Sequence, residues 1–279
     1  MKPNALQTAK FLLATIALLT LPAGCATPDR TAASWELAPH ARLARWSNAD
    51  WQQVLTDVVT DDGLIRYDRL TANATGARDA LARYVGMIDQ VSPQNRPDLF
   101  PTDADRLAYH LNAYNALALS GLLQKGLPAN VLLSGLFRTA SFPVGGRRTN
   151  LNALEQQHVR PSGDPRAHFA LSTMSQSSPP LRREPYEGPL LDAQLADQAR
   201  RYLGDPRGVQ AAGDGKVRLS ELLTQFYPAD FREAYARATG DPHPGLLESL
   251  RPFAAPDSPV QTATEYQSMP YDWSPNAAR

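Results

Sequence analysis

A histidine followed by a run of hydroxyl side chains has the clearest chemical potential in the sequence. His168 lies in the string "RAHFAL", which its apolar neighbours predict to be a short buried strand. The hydroxyl residues that follow are Ser172, Thr173, Ser175, Ser177 and Ser178. A histidine within hydrogen-bonding reach of a hydroxyl can act as the general base that activates it as a nucleophile. Alternation along a strand makes Ser172 the nearest partner for His168.

Other residue types could complete such a catalytic site. Asp272 or Glu155 could orient the imidazole. The side-chain amide of Asn112 or Asn115 could donate to an oxyanion. The sequence lacks the G-x-S-x-G string that strains a serine into reactivity, and hydroxyl-rich loops are typical of local hydrogen bonds to the backbone. A hydrolase or acyl transferase with His168 as base and a nearby hydroxyl as nucleophile is therefore the alternative hypothesis.

A polar binding site is the first hypothesis, because hydrophilic residues interrupt a helix that is otherwise apolar on every side. Asn112 and Asn115 are three residues apart and share one face of that helix. A buried amide without partners costs roughly 1–3 kcal/mol, so these side chains either tie down neighbouring loops or line a polar site. Tyr271 and Asp272, in the terminal string "YDWSPN", complete the set of predicted binding residues.

The histidines are too scattered to predict a metal site. Glu155 and His158 are three residues apart on a predicted helix, but a solvated helix face explains that spacing more simply. There is no H-E-x-x-H string or other paired spacing, so we predict neither a metal nor a cofactor. His110, on the apolar helix, is expected to be satisfied locally or to lie at the periphery.

The charge balance argues against a protein that binds nucleic acid through a broad basic surface. The chain has 28 basic and 28 acidic residues, and its formal net charge is zero. We therefore predict no nucleic-acid partner. Structural ion pairs are expected for Arg160 and Arg166, with Glu155 or Asp164 as their partners.

The first 25 residues have the pattern of an export signal. Lys2 and Lys10 give a positive start, and an uncharged apolar run follows from Phe11 to Ala23. These thirteen residues are fewer than the ~20 that span a bilayer as a helix. "LPAGC" resembles a bacterial lipobox, which predicts acylation of Cys25 and a membrane-anchored lipoprotein of the cell envelope. The alternative is ordinary cleavage near this string, which would give a soluble periplasmic protein.

Composition divides the rest of the chain into a tether and a body. Residues 26–47 are rich in Ala, Pro, Thr and Ser and predict a tether, and residues 48–279 predict a single domain. Cys25 is the only cysteine, so this domain has neither a thiol nor an internal disulfide.

The elements that must position the candidate residues follow from apolar spacing and turn signals. Helices are predicted over 48–60, 74–90, 103–124 and 189–203, with short ones from Asn152 to Val159, after Ser220 and over "GLLESL". Hairpins are predicted at "FPVGGRRTNL" and "VQAAGDGKVRL", and the C-terminal string is predicted to be extended. This mixture predicts a helix-rich α+β fold with short strands around a central buried helix.

Six strings, taken in order, resemble one protein family. They are "AYHLNAYNALAL", "NLNALEQQHVRP", "DPRAHFAL", "SSPPLRREPY", "YPADF" and "YDWSPN". From Trp51 to Asn276 the chain resembles the bacterial and plant proteins grouped as domain-of-unknown-function family 547. The resemblance implies an architecture and candidate positions but no established reaction. Many such proteins have cysteines where this chain has Thr173 and Ser178, so any thiol chemistry of the family is absent here.

These observations lead us to expect a cell-envelope lipoprotein with a ligand- or partner-binding role. The site is expected to gather His168, Asn112, Asn115 and the turn at Tyr271 and Asp272. The expected ligand or protein partner is a component of the envelope, and contact with the membrane is expected through the lipid anchor.

Overall fold

The computed structural model describes residues 45–278. The predicted signal at residues 1–25, with Cys25, therefore lies outside the described residues, as does most of the predicted tether at 26–47. The described residues belong to one compact unit that spans Pro39–Arg279.

Nine α-helical segments occur in residues 45–278. They are α1 (Ala49–Val58), α2 (Tyr67–Ala72), α3 (Ala77–Gln90), α4 (Asp103–Gln124), α5 (Leu151–Leu154), α6 (Ala167–Ala170), α7 (Leu191–Leu203), α8 (Pro228–Thr239) and α9 (Leu246–Leu250). Two π-helical turns, Glu155–Val159 and Leu222–Phe226, follow α5 and precede α8. With five short strands, these helices confirm the predicted α+β class.

The central helix is α4, and its start is fixed by its first residues. The Thr102 hydroxyl accepts the backbone N–H of Asp105, and the Asp105 carboxylate accepts the N–H of Thr102 in return. From Ala108 to Leu122 nearly every side chain is buried, as expected of a helix that is apolar all round. Helix α4 therefore forms the axis of the larger apolar core.

The strands form two small sheets. β1 (Phe142–Val144) and β2 (Arg147–Thr149) are an antiparallel hairpin that turns at two glycines. β3 (Val209–Gly213) and β4 (Lys216–Ser220) form a second hairpin, and β5 (Glu265–Met269) joins β4 in parallel. Both predicted hairpins are confirmed. The parallel pairing of the C-terminal segment comes from a distant part of the chain and was not predicted.

Two clusters of buried apolar side chains meet at α6. The larger is built around α1, α3 and α4, and it contains Ala167 and Ala170. The smaller is built around α7, the three-stranded sheet, α8 and α9, and it contains Phe169. His168 lies between these residues, so the histidine is placed where the two clusters adjoin.

One predicted element was wrong, one begins at a different residue, and one helix was missed. The string "RAHFAL" is a helical turn and not a strand, because the carbonyls of Asp164, Pro165 and Arg166 accept hydrogen bonds from backbone N–H groups three residues later. Helix α5 begins at Leu151 and not at Asn152, because the Asn150 side chain accepts the N–H of Ala153 and caps the helix. Helix α8 was not predicted.

Among residues 45–278, no helix is both long and apolar enough to cross a lipid bilayer. The longest helix, α4, carries Asp, Arg, His and Asn side chains along its length.

Candidate functional site

The centre of the candidate site is a hydrogen-bonded chain of three side chains. His168 Nε2 lies 2.6 Å from Asp230 Oδ2. Arg160 donates to both oxygens of the same carboxylate, at 3.0 Å from Nε and 2.5 Å from Nη2. Bidentate pairing fixes the plane of the carboxylate, and the carboxylate in turn fixes the imidazole. The hydrogen bond from His168, ahead of that from Arg160, lowers the pKa of Asp230 to about 2.

Within residues 45–278, the second nitrogen of His168 has no hydrogen-bond partner. His168 is 3% exposed, and its Nδ1 atom is buried without a hydrogen bond. The ionised Asp230 accepts a hydrogen bond from Nε2–H, and in the neutral imidazole this leaves Nδ1 as a hydrogen-bond acceptor. The Tyr227 ring stacks on the imidazole, with 3.7 Å between ring centroids. Tyr227 therefore packs on one face of the imidazole and Asp230 binds its Nε2 atom, while Nδ1 forms no hydrogen bond within the described residues.

Glu155 adds a buried carboxyl group to this cluster. It is 7% exposed, and burial raises its pKa above the usual value. The Tyr227 hydroxyl, His168 and Arg160 oppose that rise, and Asp230 adds to it. Burial and the charge of Glu155 likewise raise the pKa of Tyr114. Burial therefore favours the neutral form of the Glu155 carboxyl group more than it would at an exposed position.

Local backbone structure explains how these side chains meet. Glu155 begins one π-helical turn and Tyr227 follows the other; single π turns in helices occur often at functional sites. Asp230 lies in the first turn of α8, where the helix dipole favours a negative charge. We call the set of Glu155, Arg160, His168, Tyr227 and Asp230 the His168 cluster.

Asn112 and Asn115 are buried but do not join the His168 cluster. The Asn112 amide donates to the carbonyl of Tyr186 and accepts its N–H, at 2.8 and 2.9 Å. The Asn115 amide donates to the carbonyl of Ala170 and accepts the N–H of Ser172, both at 2.8 Å. These contacts are the loop-tying arrangement, and they occupy a donor and an acceptor of each amide.

Ser172 and Tyr271 belong to a separate hydroxyl network. The Ser172 hydroxyl lies 3.0 Å from that of Ser178 and accepts the N–H of Met174. The Thr173 hydroxyl lies 2.9 Å from the Tyr271 hydroxyl and 2.7 Å from that of Ser175. None of these bonds reaches His168, so the structure does not join the predicted base to the predicted nucleophile.

Asp272 caps a turn and is not the carboxylate that orients His168. Its Oδ1 atom accepts the backbone N–H and the hydroxyl of Ser274, and its own N–H donates to Ser177. The orienting residue is Asp230, which the sequence hypothesis did not include. Both Asp230 and Tyr227 occur in the string "YPADF", which was the only sequence signal for them.

Two further expectations have mixed outcomes. Arg166 pairs with Asp164, as predicted, and also with Asp192. Arg160 pairs with Asp230 and not with Glu155 or Asp164.

A second histidine group lies on the other side of the first π-helical turn. The His158 ring stacks on His110, with centroids 4.4 Å apart, while Glu155 contributes to the His168 cluster. Glu155 and His158 therefore lie in different surroundings. Among residues 45–278, the Nδ1 atom of His110 also lacks a hydrogen-bond partner, but no carboxylate bonds to that ring. Within residues 45–278, no three His, Cys, Asp or Glu side chains gather in a way that could hold a metal ion.

A surface cleft near α7 is a weaker candidate than the His168 cluster. It encloses about 360 Å³ and includes Arg182, Arg183 and Arg201 in its lining. Ion pairs with carboxylates engage Arg182 and Arg183, and Arg201 donates to the carbonyl of Asp61. These guanidinium groups already have partners within the chain, so the cleft is a weaker candidate for anion binding.

Comparison with known proteins finds one segment that is similar to a family. Residues 100–203 match the family described as "Protein of unknown function, DUF547", which supports the resemblance over that segment. The match runs from just before α4 to the end of α7 and includes Glu155, Arg160 and His168. No curated protein and no solved structure matches the chain.

Proposed function

We propose that this chain is an exported envelope protein that binds a small polar ligand at the His168 cluster. The observation that carries the proposal is the unpartnered Nδ1 atom of His168, on a ring whose other nitrogen is fixed by Asp230. A buried polar atom left without a partner costs roughly 1–3 kcal/mol, so such atoms in native proteins call for an explanation. A ligand that donates to Nδ1 would remove this cost.

The chemistry of the cluster indicates what the ligand offers. With Nε2–H donating to Asp230, His168 Nδ1 accepts from an N–H or O–H donor, and the buried carboxyl group of Glu155 lies in the same cluster. Arg160 is engaged by Asp230 and is not left as a free anion receptor. Amides and sugar hydroxyls supply such donors without a net negative charge. Peptides and glycans of the envelope are therefore the ligand classes that we favour.

The proposed location is supported by the sequence before the folded body. The basic start, the apolar run from Phe11 to Ala23 and the string "LPAGC" favour export and acylation of Cys25. An acyl anchor would hold the protein at a membrane surface without a spanning helix. Cleavage without acylation would leave the same domain soluble in the periplasm.

Calorimetric titration with two soluble probes, N-acetylglucosamine oligomers and trialanine, tests the binding role. At least one probe should bind, and His168→Asn and Glu155→Gln should each weaken that binding at least about tenfold, which corresponds to about 1.4 kcal/mol. His243→Asn is the matched control, because His243 is exposed. Unchanged affinity in both site variants, or no binding of either probe, would count against the proposal.

Hydrolysis or acyl transfer is the second candidate function, and one observation favours it. A carboxylate that orients a histidine, with the second ring nitrogen free, is two thirds of a catalytic triad. The third member would be a hydroxyl on Nδ1, but the hydroxyls of Ser172 and Thr173 bond elsewhere. Ligand binding needs no such rearrangement and is the better-supported function.

A further inference from the structure

One stretch of the chain has basic but no acidic side chains. Residues 106–154 contain Arg106, Lys125, Arg138, Arg147 and Arg148 and no Asp or Glu. Arg106 pairs with Asp103 at the start of α4. The other four are exposed, and none of them forms an ion pair with a carboxylate within residues 45–278. This segment therefore carries uncompensated positive charge.

An exposed pair of leucines lies in the middle of this segment. Leu132 is 47% exposed and Leu133 is 82% exposed. The turn that carries them, Val131–Ser134, is well held: the Asn130 side chain accepts the N–H of Leu133, and the Ser134 hydroxyl donates to the carbonyl of Val131. We call this turn the leucine turn. Its backbone is fixed, while its two apolar side chains point into solvent.

Aromatic side chains extend the apolar surface beside the leucine turn. The N–H of Val131 donates to the carbonyl of Trp273 at 2.8 Å. The Trp273 ring lies 6.0 Å from Phe137 and 6.0 Å from Phe226, which is 41% exposed. Tryptophan and phenylalanine at the edge of an aliphatic surface are typical of groups that sit at a lipid–water interface.

The basic residues and the leucine turn share one end of the fold. Leu136 and Phe142 both approach Gly121 so closely that a β-carbon there would lie 2.7 and 2.8 Å from their side chains. The β1–β2 hairpin and Leu136, two residues after the leucine turn, therefore both adjoin the last turn of α4, which Lys125 follows. Neighbouring elements also bring acidic residues nearby: the carbonyl of Asp89 accepts the N–H of Gly146, and the Glu221 carboxylate accepts the N–H of Tyr271, which precedes Asp272.

We infer that this end of the molecule contacts an anionic phospholipid surface, with the leucine turn inserted among the lipid headgroups. Exposed aliphatic side chains gain from partial burial in the interface, and basic side chains around them gain from the negative surface potential. Leu190 is also an exposed leucine, at 53%, but its neighbours in sequence include the acidic residues Glu187 and Asp192 and not a basic cluster. We therefore do not expect Leu190 to contact an anionic surface. The inference does not depend on acylation of Cys25 or on ligand binding.

An environment-sensitive label distinguishes insertion of the turn from simple tethering. The full chain with Cys25→Ser receives one new cysteine, Leu133→Cys or the control Leu190→Cys, and each is labelled with a nitrobenzoxadiazole dye. The probes are vesicles of equal parts phosphatidylglycerol and phosphatidylcholine, and vesicles of phosphatidylcholine alone. Both labels are on exposed side chains, so neither substitution removes core packing.

The label at position 133 should become severalfold brighter and shift to shorter wavelength on the anionic vesicles, while the label at 190 changes little. Added salt, or the combination Arg138→Gln, Arg147→Gln and Arg148→Gln, should reduce the response severalfold. Equal responses at the two positions would indicate non-specific adsorption and overturn the inference. An absent response at 133, or one of equal size on the neutral vesicles, would also overturn it.

Discussion

Three buried polar side chains illustrate the difference between structural and functional use of a hydrogen-bonding group. Asn112 and Asn115 each use a donor and an acceptor on backbone groups of a neighbouring loop. His168 uses one nitrogen on Asp230 and leaves the other unpaired in the interior. All three are at most 3% exposed, so burial alone does not separate the two roles. The unsatisfied atom leaves His168 with capacity for a further partner, and we propose that a ligand uses it.

Asn115 should be essential for stability. Asn115→Ala leaves the carbonyl of Ala170 and the N–H of Ser172 buried without partners, and each such group costs about 1–3 kcal/mol. We expect a loss of about 2–4 kcal/mol in the free energy of unfolding, measured by urea denaturation. Gln124→Ala, an exposed change on the same helix, should cost less than about 0.5 kcal/mol. A loss at Asn115 as small as that at Gln124 would contradict the loop-tying role.

A fluorophosphonate probe should not label the protein. The hydroxyls of Ser172, Ser175 and Ser178 bond to one another, to Thr173 or to backbone, and none bonds to His168. Without a base at hydrogen-bonding distance, a serine hydroxyl remains a weak nucleophile. Mass spectrometry after treatment checks this expectation. Labelling at Ser172 that His168→Ala abolishes in a folded protein would establish the hydrolase hypothesis instead.

At the scale of elements, long helices with a regular apolar face could be predicted from the sequence. Short helices, and helices without an apolar face, could not. Helices α1, α4 and α7 have several buried residues at helical spacing and lie where periodicity predicts them. Helix α8 has only one buried residue, Phe231, so its twelve residues show no apolar stripe. Asp230 was missed for this reason, and its partner His168 is 62 positions away in sequence.

The two π-helical turns could not be predicted from apolar spacing. A pattern with a period near 3.6 residues places Glu155 and His158 on one face, but the wider π turn sends them to different surroundings. The turn after β4 similarly places Tyr227 against His168. His168 could therefore be identified from the sequence. The side chains around it could not, because the irregular backbone of the two π-helical turns positions them.

The contact between α4 and the first π-helical turn should make stability depend on pH. Burial, and then the nearby His158, lowers the pKa of His110 to about 3 in the folded state. The unfolded chain takes up this proton below about pH 6.5, whereas the folded chain resists it until about pH 3. The free energy of unfolding should therefore fall by about 1–3 kcal/mol between about pH 7 and pH 4.5.

Urea denaturation at both pH values measures this dependence. His110→Gln removes the titrating group and should flatten the profile. His243→Gln, at an exposed position, should leave it unchanged. A profile that is as steep in His110→Gln as in the parent would assign the acid sensitivity to other groups.

At the scale of the whole molecule, the His168 cluster draws on both apolar cores. The segment around α6 has neighbours in the larger core, and Tyr227 and Phe231 pack with the smaller one. Because the site contacts both cores, a rearrangement of its side chains would disturb the packing of both. We therefore expect the cluster to remain intact under conditions in which the protein stays folded.

The N-terminal anchor is tested on the mature protein from its native host or a bacterial expression host. Its mass should show acyl chains on Cys25 as the new N-terminus, and Cys25→Ser should lose them together with sedimentation in the membrane fraction. A mature chain that begins after residue 25 and carries no acyl group would instead identify a soluble periplasmic protein.

The most direct test of ligand binding at His168 follows the nitrogen NMR signals of its imidazole during a titration. The ligand added is whichever probe binds in the calorimetric experiment. In the free protein, the signal of His168 Nδ1 should be that of an acceptor nitrogen without a hydrogen bond, since Nε2–H donates to Asp230 and Nδ1 forms no hydrogen bond within residues 45–278. A probe that binds should move this signal in proportion to its occupancy and leave the signals of His243 unchanged. A His168 Nδ1 signal that stays fixed as the binding site fills would contradict the central claim.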